Sequence, residues 1–252
     1  MTKYPSQRKS LRSLTTPVSF NKLVDYHESR YEARVQNSPV RRVRQDWQSV
    51  EQPHRLQLIE LIAQGERTVE QLAEDVGSPV ANVSQHLQVL RTARLVAVRR
   101  DGLYNHYSLA DQEVFRVWSA IRELGRTRLA EVDRIVIEFL GARNDMDAVT
   151  ASELRSRIRM GNVIVLDVRP RLEYEAGHIR GARSVPFEEV KARLRDFPKD
   201  NEIVAYCRGP YCVFADETVA ILRAKGYRAR RLTEGFPDWR SRGYPIEVGA
   251  AG

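Results

Sequence analysis

Apolar residues recur every three or four positions in the stretch that begins at Pro53, the period of helices packed on a common core. Pro53 opens a first predicted helix, which Gly65 ends. Thr68 begins a second helix in a capping-box pattern, and Gly77 stops it. Ser78 is the predicted cap of a third helix. Two short helices joined by a tight, glycine-containing turn predict a helix-turn-helix.

The pattern then changes to that of two strands, Leu95–Arg100 and Leu103–Leu109. Asp101-Gly102 lies between them and is a strong short-range signal of a β-hairpin. A hairpin directly after a helix-turn-helix is a wing. This part of the chain is therefore predicted to be a mostly α-helical winged helix with a β-hairpin wing.

A single long helix is predicted from Asp111 to Leu140, where apolar positions keep the helical period. It is well above the usual length of ~11–12 residues, which suggests packing outside its own small domain. Dimerisation is the economical explanation. A helix laid across its own domain is the alternative.

Beyond a polar linker, Gly141–Asp147, short strands alternate with helices. The predicted elements, in order, are a strand at Val163–Asp167, a helix at Phe187–Asp196, a strand at Ile203–Tyr206, a helix at Phe214–Lys225 and a strand at Ala229–Leu232. Such alternation predicts an α/β domain with a mostly parallel sheet, whose active loops lie at the carboxyl ends of the strands. The predicted organisation is a basic, partly disordered extension (1–38), a winged helix for DNA binding and dimerisation (39–140), a linker (141–147) and the α/β domain (148–252).

Composition and charge narrow the function. The chain has 252 residues, 42% of them hydrophobic, and no apolar run approaches the ~20 residues of a membrane span. With no signal peptide visible we expect a cytoplasmic protein without a membrane partner, in a compartment where structural disulfides are rare. The formal net charge of +8 suggests a polyanionic partner, although a merely soluble basic protein is the alternative.

The third predicted helix carries short polar side chains that suit base edges and phosphates in a DNA major groove. The wing adds two arginines that suit the DNA backbone or the minor groove. The candidate DNA-binding residues are Asn82, Ser84, Gln85, His86, Gln88, Arg91, Arg99 and Arg100. An ordinary polar surface helix is the alternative for the first six.

These segments resemble the winged-helix repressors of the ArsR family. The resemblance lies in Pro53-His54-Arg55-Leu56, in Val80–Arg91 and in Asp101-Gly102-Leu103-Tyr104. It implies a homodimer that binds palindromic, double-stranded operator DNA, with the segment from Ser84 to Arg91 in the groove. Many members of that family sense metals, but this domain contains no cysteine, and its histidines are not spaced as a metal set. We therefore predict neither a metal nor a cofactor.

Arg94 departs from the family pattern, because similar proteins usually have glycine after the recognition helix. A left-handed residue other than glycine costs around 1 kcal/mol at such a position. The sequence therefore suggests that this helix end differs from that of its relatives.

Cys207 and Cys212 are the only cysteines of the chain, and Gly209 and Pro210 lie between them. A strand precedes this loop and a helix follows it, so backbone N–H groups are expected to point at the loop centre and to favour the reactive thiolate. Arg208 adds a positive charge with donors for an anion. Two buried thiols that only fill the core are the alternative. A zinc site is disfavoured because no second ligand pair is visible.

The second domain resembles a single rhodanese domain. The resemblance rests on Asp167-Val168-Arg169, Glu173-Tyr174, Gly177–Ala182, the loop at Cys207 and Gly235–Trp239. It implies that Cys207 is a sulfur-accepting nucleophile, that Asp167 and Arg169 support the active-site wall, and that Glu173 and His178 are structural. A scaffold network of ion pairs is an equally good reading of the acidic residues and Arg169.

Cys212 occupies a place where thiosulfate-using rhodaneses often carry a basic residue. The loop is also shorter than that of phosphatase-like and arsenate-reductase-like relatives. If Cys212 faces Cys207, it can attack a persulfide on Cys207 and form a bridge. The alternative is that Cys212 faces the core of the following helix.

Three functional hypotheses follow. The first is a dimeric transcriptional regulator, most simply a repressor, that senses a sulfane-sulfur donor or an oxidant through Cys207 and Cys212. The second is a sulfurtransferase tethered to a DNA-binding domain, with Cys207 as its nucleophile. The third is a constitutive DNA-binding protein with an inactive rhodanese module. The thiol at Cys207 disfavours the third, and the thiol at Cys212 disfavours the second.

Overall fold

The computed structural model describes residues 52–128 and 148–250. The predicted extension (1–38), the linker (141–147) and the end of the long helix lie outside the described residues. Over the described part of the chain, no helix is both long and apolar enough to span a membrane. The first domain contains, in chain order, α1 (Pro53–Ile62), β1 (Arg67–Thr68), α2 (Val69–Val76), α3 (Val80–Thr92), β2 (Val96–Asp101), β3 (Tyr104–Leu109) and α4 (Gln112–Arg128).

The helix-turn-helix forms largely where the sequence predicts it. The Thr68 side chain accepts a hydrogen bond from the Gln71 N–H, and the Gln71 side chain accepts one from the Thr68 N–H, which completes the predicted capping box. Gly77 ends α2 in a left-handed conformation. The predicted cap of α3 at Ser78 is wrong by one residue. Pro79 is extended, at φ −55° and ψ 139°, so it is itself the capping residue and provides no side-chain acceptor.

The wing is the predicted hairpin, with its turn one residue further along than expected. Asp101 pairs with Tyr104, so Gly102 and Leu103 form a two-residue turn, with Gly102 at φ +59°. The short strand β1 pairs with β3 and completes a three-stranded sheet, in the order β1-β3-β2. A two-residue strand carries no periodicity, which is why the sequence gives no sign of it.

Apolar faces of α1, α2 and α3 form the core of the winged helix, together with Val96 and Tyr107 of the wing. Phe115 anchors the start of α4 and is 1% exposed. The Asp111 carboxylate caps this helix by accepting a hydrogen bond from the Glu113 N–H at 2.8 Å. The long helix is thus described as far as Arg128, and its predicted continuation to Leu140 falls outside the described residues.

The second domain is built around a parallel sheet. Its elements are β4 (Ala148–Val149), α5 (Ala151–Met160), β5 (Val163–Asp167), α6 (Arg171–Ala176), β6 (His178–Ile179), β7 (Arg183–Ser184), β8 (Glu202–Tyr206), α7 (Val213–Ala224), β9 (Ala229–Leu232), α8 (Phe236–Ser241) and β10 (Ile246–Glu247). Five strands pair in the order β4-β9-β8-β5-β7, all parallel. The fold class predicted from the sequence is therefore confirmed.

The helix predicted at Phe187–Asp196 is wrong. Two short 3₁₀ turns, Phe187–Glu189 and Leu194–Asp196, replace it. Phe187, Val190 and Leu194 have helical spacing, but Arg193 lies at φ −98° and ψ 9°, and its guanidinium donates to the Ser184 carbonyl at 2.8 Å. That contact ties the segment to β7 and interrupts the helix.

Alternate residues of β5 and β8 enter two cores on opposite faces of the sheet. Ile203, Ala205 and Cys207 pack toward α7, whereas Val204 and Tyr206 pack toward α5 and α8. Cys207 therefore continues the alternation of the buried strand β8, and the packing of that strand fixes its position at the start of the loop.

Candidate functional site

The carboxyl ends of β5 and β8 lie side by side, with Asp167 paired to Tyr206. Cys207 follows directly after β8, so it begins the loop at this edge of the sheet. Sequence reasoning placed Asp167 and Cys207 at two strand ends, and the parallel pairing makes those ends neighbours. This is the edge at which parallel sheets carry their functional loops.

Cys207 and Cys212 form a disulfide across this loop, with their Cα atoms 6.2 Å apart. Cys207 is 2% exposed, whereas Cys212 is half-buried and is the N-cap residue of α7. The Cys212 N–H donates to the Gly209 carbonyl at 3.2 Å and so closes a tight turn inside the bridge. Cys212 faces Cys207, as the bridging hypothesis requires, and it also packs on the edge of the core beside α7.

The Arg208 side chain turns toward α6. Its Nε donates to the Glu173 Oε1 atom at 2.8 Å, in an ion pair whose carboxylate is 1% exposed. The sequence suggested that Arg208 binds an anion in the loop. The structure shows its guanidinium engaged by Glu173.

Asp167 and Arg169 form a fully buried ion pair beneath the loop. Nη2 of Arg169 lies 2.6 Å from Oδ2 of Asp167, and the Tyr206 hydroxyl donates to the same carboxylate. Burial raises the pKa of Tyr206 well above its usual value, and the charge of Asp167 adds to this effect. Burial alone would lower the pKa of Arg169, but the negative charges around it, led by Asp167, outweigh burial and raise that pKa.

This arrangement fits a scaffold better than direct chemistry. Arg169 also donates to the Gly177 carbonyl at 2.7 Å, which holds the end of α6 in place. His178, at the next position, stacks on Tyr174 with ring centroids 3.7 Å apart, and its Nδ1 atom is 2.9 Å from the Tyr174 carbonyl oxygen. Across the described ranges, no group of three or more His, Cys, Asp or Glu side chains is placed to hold a metal ion.

Residues of the winged helix contact the cysteine loop and the neighbouring helix α6, and the sequence did not predict these contacts. Nε2 of Gln64 donates to the Arg208 carbonyl at 3.1 Å, and Nη2 of Arg67 pairs with Glu173. Both winged-helix residues are buried, with Gln64 at 0% exposure. These partners are more than a hundred residues apart along the chain, so no local pattern signals the contact.

The six predicted positions on α3 follow a largely open face. Asn82, Gln85, Gln88 and Arg91 are exposed, and Ser84 and His86 are half-buried. The His86 ring stacks on His54 and accepts a hydrogen bond from Arg55. Burial lowers the pKa of His86, and the neighbouring positive charges of Arg55 and His54 lower it further.

The two wing arginines differ in their surroundings. Arg99 pairs with Glu66 at 2.9 Å and with Asp101 at 3.1 Å, and its hydrogen bonds to these carboxylates raise its pKa. Arg100 donates only a long hydrogen bond, 3.3 Å, to the Gly102 carbonyl among the contacts described for it. Arg94, after α3, has φ +57° and is the one non-glycine residue with positive φ in the described part of the chain.

Known proteins match both halves of this architecture. Residues 52–98 match the arsR family of bacterial regulatory proteins, and residues 150–242 match the rhodanese-like domain. The chain is 41% identical over 196 residues to the HTH-type transcriptional regulator Rv0324 of Mycobacterium tuberculosis, which covers 78% of this chain and 86% of that protein. It is 29% identical to a sulfurtransferase of Allochromatium vinosum over 41% of this chain and 94% of that protein.

Among solved structures, a homodimeric winged helix-turn-helix DNA-binding domain of Mb0332 from Mycobacterium bovis is 30% identical. It covers 37% of this chain and 87% of that one, with a TM-score of 0.36. The relationship to Rv0324 spans most of both proteins, and the two family matches fall on the winged helix and on the parallel-sheet domain. The chain therefore belongs to the arsR family of bacterial regulatory proteins, in a form that carries a rhodanese-like domain after the winged helix.

Proposed function

We propose that this protein is a DNA-binding transcriptional regulator that senses a sulfane-sulfur donor or an oxidant through Cys207 and Cys212. The observation that carries the proposal is the disulfide between these residues, in a loop that touches the winged helix. A regulator needs a chemical event that changes its shape, and opening or closing this bridge is such an event.

A persulfide donor supplies one route to the disulfide. The Cys207 thiolate attacks the outer sulfur of a persulfide, RSSH, takes that sulfur with its proton and releases the thiolate RS⁻. The Cys212 thiolate then attacks the Sγ atom of Cys207, forms the disulfide and expels hydrosulfide, HS⁻. In the bridged loop the two Cα atoms are 6.2 Å apart, which lies within the usual range of disulfides.

An organic or inorganic hydroperoxide supplies the second route. The Cys207 thiolate attacks one peroxide oxygen and becomes a sulfenic acid while the other oxygen leaves as an alkoxide or hydroxide. The Cys212 thiol condenses with the sulfenic acid, which releases water and gives the same disulfide. Both routes end in one product, so the loop reports either class of signal.

The DNA-binding half of the proposal rests on α3 and the wing. Asn82, Gln85, Gln88 and Arg91 project from one exposed face, as base and phosphate contacts require. Operator DNA is the proposed partner, with the half-buried Ser84 and His86 as further candidate contacts.

A homodimer is the proposed assembly. Val117, Ile121 and Leu124 of α4 are 43%, 38% and 58% exposed and recur at spacings of four and three residues. Such an apolar stripe on an open helix suits a second copy of the same helix.

The test measures the affinity of the full-length protein for a duplex enriched from a random DNA library, at one fixed salt concentration. The protein is compared after reduction by dithiothreitol, after hydrogen peroxide and after glutathione persulfide. We expect oxidation and persulfide treatment to change the affinity in the same direction by about 5- to 150-fold, the usual range of coupling between two sites. Cys207→Ser and Cys212→Ser should each abolish that change.

The Cys212→Ser variant separates the disulfide from the persulfide itself. If it still responds to glutathione persulfide, the persulfide on Cys207 is the signal and the bridge is not. An affinity that is the same in every state of the wild-type protein would overturn the sensor function.

Sulfurtransferase activity is the second candidate, and the likeness to the Allochromatium vinosum enzyme favours it. The thiol at Cys212, which can close a bridge with Cys207, speaks against rapid turnover. Steady-state assay with thiosulfate and a small thiol acceptor separates the two, because an enzyme turns over many times and a switch reacts once per loop.

A further inference from the structure

We propose that Gln64 is a positioning residue of the Cys207–Cys212 loop and that it ties the state of the loop to the placement of the winged helix. The amide of Gln64 contacts both the cysteine loop and the buried ion pair of Arg169. Its Nε2 atom donates to the Arg208 carbonyl at 3.1 Å, and its Oε1 atom accepts from Arg169 at 3.3 Å. The side chain is completely buried. A buried amide with both ends engaged is a specific contact, since leaving either end unpaired is costly.

The Arg208 carbonyl is held from a second side by Gly235. A Cβ atom at Gly235 would overlap the Arg208 carbonyl, so the two backbones are in close contact. The Phe236 N–H donates to the Cys207 carbonyl at 3.2 Å, one residue earlier in the loop. Two successive carbonyls of the cysteine loop are therefore fixed by neighbours outside it.

Gly235 is linked in turn to α4. The Asp238 carboxylate accepts from the Gly235 N–H at 3.1 Å and from Nη2 of Arg122 at 2.7 Å. Arg122 is only 10% exposed in this ion pair. The helix with the exposed apolar stripe thus reaches the cysteine loop through one carboxylate.

Glu173 provides a third link, this time to the wing. Its Oε1 atom accepts from Arg208 of the loop and from Arg67 of β1. Arg67 pairs also with Asp75 of α2, and β1 is hydrogen-bonded to β3 of the wing. One carboxylate consequently joins the loop, the helix-turn-helix and the wing.

Opening the disulfide releases the constraint between Cys207 and Cys212, and the residues between them include the Arg208 carbonyl that Gln64 holds. Thermodynamic linkage makes the effect reciprocal, because a contact that is stronger in the bridged form also stabilises the bridge. This inference rests on the proposed function for its biological meaning. A measurement of the redox equilibrium of the loop tests the role of Gln64 without any DNA-binding assay.

The first experiment measures the equilibrium between the full-length protein and dithiothreitol, which gives two electrons and two protons to the disulfide and becomes a cyclic disulfide. Gln64→Ala should make the bridge about twofold to tenfold easier to reduce, the loss of one net hydrogen bond. The matched control is Gln57→Ala, the same change on the exposed side of α1, which should leave the equilibrium unchanged.

A second variant keeps the size of the side chain and removes its hydrogen-bond donor. Gln64→Glu retains an acceptor for Arg169 but loses the donor to the Arg208 carbonyl. It should fold and should shift the equilibrium at least as far as Gln64→Ala. If both Gln64 variants match the Gln57 control, or if the wild-type protein forms no disulfide, Gln64 does not position the loop.

The DNA measurement distinguishes the two proposals. If wild-type affinity depends on the redox state and Gln64→Glu weakens that dependence, both stand. If wild-type affinity is indifferent while the Gln64 variants shift the redox equilibrium, the sensor function fails and the positioning role remains. If affinity responds equally in wild type and variants with no redox shift, the positioning role fails and the sensor function remains.

Discussion

Single buried residues hold the strand ends next to the cysteine loop, and Asp167 is the clearest example. Its carboxylate is fully buried and accepts hydrogen bonds from the Arg169 side chain and the Tyr206 hydroxyl. The sequence indicated that Asp167 and Arg169 matter, because both lie in a rhodanese-like motif at a strand end. It could not distinguish a scaffold from a catalytic pair, since that depends on which atoms are turned toward the loop.

Asp167→Asn tests the scaffold role. It leaves the buried guanidinium of Arg169 without its anion, and breaking a buried pair in this way costs about 3–5 kcal/mol of unfolding free energy. The measurement is urea unfolding. The control is Asp196→Asn, whose pair with Arg193 is exposed and should cost less than about 1 kcal/mol. Equal costs for the two changes would contradict the scaffold role.

Arg94 is a second residue whose backbone carries a cost. The sequence suggested that this helix end differs, because a left-handed residue other than glycine is costly, yet Arg94 adopts that conformation at φ +57°. Arg94→Gly should raise the unfolding free energy by about 1 kcal/mol because glycine adopts this conformation without steric strain. Thermal unfolding of the two proteins measures the difference. Arg94→Ala, which removes the side chain and keeps the strain, should give no such gain.

Among the elements, most of the longer helices and strands follow from sequence period, but the ten-residue helix α5 was not predicted, and neither were the two-residue strands. The strands β5, β8 and β9 and the helix α7 lie within a residue of their predicted positions. The segment at 187–196 has helical spacing yet forms two separate turns, because a tertiary contact of Arg193 overrides the local pattern. A two-residue strand such as β1 is defined only by its pairing with another strand, which the local sequence does not encode.

The wing offers a prediction at this scale. Arg99 is held by two carboxylates, so it must break those ion pairs before it can neutralise a phosphate. We expect Arg100→Ala to reduce the slope of log affinity against log salt by about one and Arg99→Ala to reduce it by less. DNA binding measured at several salt concentrations gives both slopes. Equal reductions would show that Arg99 leaves its partners in the complex, and no reduction for either would remove the wing from the phosphate contact.

On the scale of the whole molecule, the two domains are joined side by side through buried polar contacts. The sequence predicted both domains and their order. It could not predict that Gln64, Arg67 and Arg122 reach into the second domain, since long-range contacts leave no periodic trace. Glu60 also belongs to this contact region between the two domains, which we call the seam. Burial raises the pKa of the Glu60 carboxyl, although the positive charge of Arg122 opposes the shift.

Gly65 tests the seam directly. A Cβ atom there would lie 2.5 Å from the Cβ atom of Ala176, so any side chain must push the domains apart. Gly65→Ala should weaken the docking by about 1–3 kcal/mol, the usual cost of overpacking. We expect faster hydrogen exchange at the amides of the cysteine loop, with the core of the winged helix unchanged.

The matched control is Gly125→Ala on α4, where no atom lies within 4 Å of the added Cβ. It should stabilise the helix by about 1 kcal/mol and leave the cysteine loop unaltered. If hydrogen exchange at the amides of the cysteine loop is unchanged in the Gly65 variant, the contact between the domains can be altered without effect on that loop.

The unequal burial of Cys207 and Cys212 gives the reduction of their bridge a direction. An incoming thiolate reaches Cys212, a half-buried residue, more readily than Cys207, a residue that is 2% exposed. The mixed disulfide therefore forms on Cys212, and Cys207 departs as the leaving group. Each reductive reset thus returns the buried sulfur as a free thiolate while the outer sulfur is still capped, and trapping with a bulky thiol should place the adduct on Cys212.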